Sequence, residues 1–193
     1  LGTQLLFHEQ TLNLKSSTPT TGKQTMGKQK GFSLIELLIV VAIILIIAAI
    51  AIPNLMRAKM SANDASAAAS ERSIITGEIS YYTNYPTIGY VALLTLGGAP
   101  GAACAPSIAT ACLIDSTLAS GAKSGYKFAS TAQTANAAGV LTQFWTTGYP
   151  STATTGTKSY CAVDDGVVRT QAAGNIALVA NYAACQLLLP MAN

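Results

Sequence analysis

Residues 37–56 carry no charged side chain, and the stretch 37–52 holds only Leu, Ile, Val and Ala. A helix that crosses a bilayer needs roughly 20 apolar residues, about 30 Å at 1.5 Å per residue. With Phe32, Leu34 and Ile35 in front of it, this run meets that length. A buried core helix that is apolar on every face would need a larger protein around it. We therefore read residues 32–53 as a membrane span. A secretory signal peptide is the rival reading, with Ala49-Ile50-Ala51 as a loose cleavage pattern. Its apolar core would be about 7–15 residues. This run is longer and opens on a carboxylate, Glu36.

The flanks set an orientation. Lys23, Lys28 and Lys30 precede the span, and Lys and Arg near a span favour the cytoplasmic side. Arg57 and Lys59 follow it and weaken the bias. The reading puts the N-terminus in the cytoplasm and the chain beyond Arg57 outside. Cys104, Cys112, Cys161 and Cys185 all fall on the outer side, where disulfides persist.

The segment Lys30-Gly31-Phe32-Ser33-Leu34-Ile35-Glu36-Leu37-Leu38 resembles the class III signal of type IV pilins and pseudopilins. That pattern is a basic leader ending in Gly, then Phe, then Glu as the fifth residue, then an unbroken apolar run. The resemblance implies cleavage between Gly31 and Phe32 by a prepilin peptidase, which also methylates the new Phe32 amine. It implies that Glu36 pairs with the Phe32 amine of a neighbouring subunit. Such a pair neutralises both charges in an apolar filament core and disfavours registers that leave a charge unpaired. It also marks Pro53 as a kink, with any loosening of the helix centred on residues 48–53. The implied fold is α+β and pilin-like: a long N-terminal helix, membrane-spanning in one half and amphipathic in the other, packed on a small antiparallel sheet.

On this reading residues 1–31 are a leader, long for its type. Met26 would start a short basic leader, so residues 1–25 are expected to be an over-extended start. Removing residues 1–31 from the 193 leaves 162. Seven Lys/Arg and seven Asp/Glu remain, so the formal charge of +3 belongs to the leader. A basic patch for nucleic acid loses its support. Only 10% of the chain is charged, against about 25% in an ordinary domain. Half is hydrophobic, which excludes a disordered chain.

Residues 54–193 are expected to form the head, beginning with an amphipathic helix over 54–84. Its Ala tract favours helix and close packing. Ile75, Ile79 and Tyr82 supply an apolar stripe at i, i+4 and i+7. Gly77 interrupts the pattern. Glu71, Arg72 and Glu78 read as solvent-facing charges. One helix is expected from Ser33 to Tyr82. It stops at Tyr85-Pro86, and residues 85–123 read as a Gly-, Ala- and Pro-rich loop. Strand patterns follow within 124–193, at residues 125–130, 141–147, 159–163 and 167–170. Asp164-Asp165-Gly166 makes a hairpin turn of the last two. Calcium at Asp164-Asp165 is the weaker reading of that turn.

Cys104 and Cys112 are placed to clip the loop, and Cys161 and Cys185 to tie the C-terminal segment to the sheet. Four cysteines allow three pairings, so connectivity stays open. Zinc is disfavoured, since there is no Cys-x-x-Cys and the sole His, His8, lies in the leader. No cofactor is implied. With no His after residue 31, no Ser-His-Asp or Cys-His arrangement can form there, and no enzyme activity is expected. Tyr81, Tyr82, Tyr85 and Tyr90 read as packing aromatics rather than a conducting array.

The resemblance implies a structural subunit of a type IV pilus. It would sit in the bacterial inner membrane as a precursor and then in an extracellular helical homopolymer. Its partners would be other pilin subunits, the peptidase and methyltransferase, an inner-membrane assembly platform and a cytoplasmic ATPase. The alternatives are a type II secretion pseudopilin, forming a periplasmic fibre, and a membrane-anchored adhesive head that never polymerises.

Overall fold

The computed structural model describes residues 31–171 and 177–191. The expected leader, apart from Gly31, lies outside the described residues, as do Met26, His8 and the basic flank at Lys23, Lys28 and Lys30. By its internal contacts the chain divides into a unit ending at Ala42 and a second from Ile43 onward.

In the first unit, Gly31, Phe32 and Ser33 precede the start of helix α1 (Leu34–Asn84, 51 residues). Every described side chain up to Ala42 is exposed. The second unit contains the rest of α1. Pro53 lies inside it, and residues 48–53 are helical throughout. A proline removes one i→i−4 bond, but the helix continues on both sides. The helix ends just before Pro86, because the residue preceding a proline is pushed out of the helical region.

From residue 64 onward one face of α1 is buried: Asp64, Ala67, Ala68, Glu71, Ile74, Ile75, Glu78 and Tyr81, with Ser70 and Gly77 beside them. This corrects the expected stripe. Ile75 is buried, but Ile79 is 46% exposed, and two of the supposed surface charges, Glu71 and Glu78, have no exposure. Positions 64, 71 and 78 are seven apart, close to two helical turns, so they share a face. Ala67, Ile74 and Tyr81 follow each of them by three residues and complete that face.

The buried face packs on a six-stranded sheet of order β1-β2-β3-β4-β5-β6, antiparallel throughout. The strands are β1 (Ala122–Lys123), β2 (Tyr126–Ala135), β3 (Leu141–Pro150), β4 (Tyr160–Val163), β5 (Arg169–Thr170) and β6 (Leu189–Pro190). The four expected strands correspond to β2 to β5. The edge strands β1 and β6 are two residues each, too short to leave a periodic pattern. In β2, Tyr126, Phe128 and Ser130 are buried, and Lys127, Ala129 and Thr131 alternate with them on the exposed side.

All four residues of β4 are buried, because the sheet is covered on both faces. Tyr160 and Ala162 join the core under α1, with Ile74, Tyr81, Tyr126, Phe128 and Phe144. Cys161 and Val163 belong to a second cluster with Val179 and Cys185, flanked by Trp145, Tyr182 and Leu188. The C-terminal segment supplies that second layer, including the short helix Tyr182–Gln186, capped by Asn181.

Residues 85–123 are not one irregular loop. They contain two short helices, Leu93–Gly97 and Ser116–Ala119. Leu96 and Leu118 are buried on the core, and Asp115 caps the second helix by accepting from Leu118 N–H at 3.3 Å. The apolar content of this segment anchors it despite its Gly and Pro. Gly77 on α1 makes room for it: a Cβ there would come within 2.9 Å of Ile114. The glycine that weakened the helical pattern is thus a point of close approach.

Candidate assembly site

The N-terminal edge of α1 is organised by its own residues. Ser33 N–H donates to Glu36 Oε2 at 2.8 Å, and Leu37 N–H donates to Ser33 O at 3.2 Å. Ser33-Leu34-Ile35-Glu36 has the S-x-x-E spacing of a capping box, and the glutamate half of that box is formed. The signal was present in the sequence, but the family pattern had accounted for Glu36 already. The carboxylate sits in the first turn, where the helix dipole favours negative charge. Its Oε1 has no hydrogen bond among the described residues. Phe32 is 82% exposed.

Behind this edge the large apolar side chains are uncovered. Leu34, Leu37, Leu38, Ile43, Ile44, Leu45, Ile46, Ile47 and Ile50 are all more than half exposed. No core among the described residues shields them, which speaks against the buried-helix reading. α1 is the one helix among the described residues long and apolar enough to cross a membrane.

In the head, Cys104 is bonded to Cys112 and Cys161 to Cys185, both with Cα atoms 5.9 Å apart. The first closes the segment between the two short helices. The second joins β4 to the C-terminal layer. Asp164 and Asp165 are committed to the hairpin. Tyr182 Oη donates to Asp164 Oδ1 at 2.5 Å, while Asp165 accepts from Val167 N–H at 2.9 Å and pairs with Arg169. The Arg169 guanidinium holds the Asp165 carboxyl below the usual range. Among the described residues no group of three His, Cys, Asp or Glu could hold a metal ion. The tyrosines pack: Tyr81 on Tyr85, Tyr82 on Tyr90 and Tyr90 on Phe144, with ring centroids 4.6–4.9 Å apart.

The feature that sequence reasoning missed is the set of carboxyls under α1. Tyr126 Oη donates to Asp64 Oδ1 at 2.5 Å, and Thr157 donates to Asp64 from both N–H and Oγ1. Thr146 Oγ1 lies 2.5 Å from Glu71 Oε2. Ser130 Oγ lies 2.5 Å from Glu78 Oε1, and Val91 N–H donates to Glu78 Oε2 at 3.2 Å. Burial pushes the Glu71 carboxyl up to about 8, against the opposing Thr146 bond. It pushes Glu78 up to about 7, against the bonds from Ser130 and Val91. The available signal was the seven-residue spacing of the acids together with inward-facing Ser and Thr in the strands.

The family model for the prokaryotic N-terminal methylation motif matches residues 26–52. The chain is 45% identical over 74 residues to the type IV wide pilus major component PilA4 of Thermus thermophilus. Over these stretches the chain is similar to a type IV pilin. The matched stretch is 37% of this chain and 56% of the relative, so the chain spans little more than half the length of the curated relative it matches. No solved structure matches this chain.

Proposed function

We propose that this chain is a type IV pilin, a structural, non-catalytic subunit of a type IV pilus. The observation that carries the reading is the uncovered apolar half of α1 within the stretch that matches the methylation motif. Such a surface needs lipid before assembly and other copies of itself afterwards. The relative is a pilus major component, which favours a pilus over a secretion pseudopilus or an unpolymerised adhesive head.

In this proposal the precursor sits in the inner membrane with its N-terminus cytoplasmic and its head periplasmic. The peptidase cuts between Gly31 and Phe32, and the Phe32 amine is methylated. Extraction into the filament draws on the assembly platform and a cytoplasmic ATPase. Pro53 marks where α1 bends or loosens in the packed bundle. Glu36 has two tasks. Its Oε2 caps the helix through Ser33 N–H, and its Oε1 is left for the Phe32 amine of the next subunit. A carboxylate offers enough lone pairs for both.

Two variants separate those tasks. Glu36→Gln keeps a capping acceptor but loses the charge, and Glu36→Ala loses both. Both are expected to insert and be processed, and both to yield few sheared filaments by electron microscopy with peptide identification. Normal filament numbers from Glu36→Gln would show that capping alone is its role. Absence of this chain from sheared surface filaments of the wild type would remove the pilus reading.

A further inference from the structure

We propose that Glu71 and Glu78 are held as neutral carboxylic acids in the seam between α1 and the sheet, and that removing their protons at alkaline pH releases the sheet from α1. The argument begins with what surrounds each group. Glu71 has no exposure and faces Thr146 and Gly148 of β3 and the apolar side chain of Phe128 on β2. A Cβ on Gly148 would come within 2.7 Å of Glu71 Oε1, so the glycine is what lets the carboxyl fit. That Oε1 has no hydrogen-bond donor among the described residues. An anion would leave charge on a buried, unpartnered oxygen, which is the costly arrangement.

The hydroxyl chemistry fits the neutral acid better. Thr146 Oγ1 already accepts from Ala162 N–H at 3.2 Å and lies 3.5 Å from Ala162 O. With a proton on Glu71 Oε2, the acid donates to the remaining lone pair of Thr146 and the hydroxyl points its own proton at Ala162 O. Every group in that row then has a partner except Oε1, which as a neutral carbonyl oxygen tolerates the position.

Glu78 is faced by Ser130 of β2, by Val91 N–H from the segment after α1, and by the rings of Tyr81 and Tyr90. Asp164, from the β4–β5 turn, adds negative charge on the Tyr90 side. Both phenols are shifted upward, chiefly by burial, and stay neutral across the range where the acids titrate. Arg72 is exposed, and with Lys158 it lines a cleft at the Asp64 end of the seam. The ion pairs among the described residues are Lys123–Asp115 and Arg169–Asp165. Neither Glu71 nor Glu78 therefore has a cation to compensate ionisation.

The direction follows from linkage. Carboxyls raised in the folded state give stability that is complete below their unfolded value near 4.5 and is lost as pH rises through about 7 and about 8. Asp165, held low by Arg169, acts with the opposite sign and matters only on the acid side.

The test uses the full chain in detergent micelles. Thermal unfolding of the wild type, followed by circular dichroism, is expected to fall by on the order of 10 °C between pH 5 and pH 9. The double variant Glu71→Gln, Glu78→Gln keeps donors toward Thr146 and Ser130. It is expected to be nearly flat over that range and more stable than wild type at pH 9. Infrared spectroscopy of the wild type reads the protons directly. A protonated-carboxyl carbonyl band is expected at pH 6 and absent at pH 10. A wild-type midpoint that is constant or rises with pH, or a missing band at pH 6, would overturn the proposal, whether or not the double variant folds.

Discussion

The two ends of α1 are one helix with opposite rules for side chains. Toward its N-terminus the apolar residues are exposed and the sole acid, Glu36, is at the surface, bound to its own helix start. From residue 64 onward the exposed positions include Arg72, Ser73 and Thr76, and the acids are inside. In the first region nothing among the described residues supplies shielding. In the second the sheet supplies it, and strand hydroxyls do for carboxyls what water does elsewhere. Residue type alone therefore does not say which way a helix position faces; the partner surface does.

The comparison breaks most sharply on isoleucine. Ile74→Ala, at a site with no exposure, should lower the stability of the full chain in micelles by about 2–5 kcal/mol in denaturant unfolding. Ile44→Ala, at a site 57% exposed, should leave it within about 0.5 kcal/mol. Equal losses would mean the two regions share one core. Replacing Cys161 and Cys185 by Ala should cost about 2–4 kcal/mol, because the bond spans 24 positions and joins the C-terminal layer to β4. A variant as stable as wild type would show that the layer is held by packing alone.

Glu71→Gln sharpens the contrast between the acids. It should stabilise the head by on the order of 2 kcal/mol at pH 9 and change little at pH 5. Destabilisation at pH 9 would mean that the ionised form holds the seam. A smaller loss is expected at Glu36. Glu36→Ala should speed hydrogen exchange of the Leu37 amide about fivefold, the loss of roughly 1 kcal/mol of capping. Unchanged exchange would leave Glu36 without a local role.

The extent of α1, four of the six strands and the hairpin at Asp164-Asp165-Gly166 were legible because each has a long period or a turn residue of fixed geometry. The helix end was marked by Pro86. The short helices within 85–123 left no trace, since four or five residues cannot show a 3.6-residue period and Gly and Pro dominated the signal. The C-terminal strand β6 exists only through its pairing with β5. Glu71 and Glu78 were misread because a charge in a helix is ordinarily solvated. What inverts that expectation is non-local: Thr146 and Ser130 lie 75 and 52 positions away.

The two-faced burial of β4 has a practical consequence for observing this protein. The chain has a single tryptophan, Trp145, and it stands on the side of the sheet covered by the C-terminal layer. Tyr126 and Tyr160 stand on the side covered by α1, in one core with Tyr81 of that helix. Indole emission therefore reports detachment of the C-terminal layer, while the phenols stand on both faces, since Tyr182 packs beside Trp145. The C-terminal layer thus carries its own label, and it is the indole.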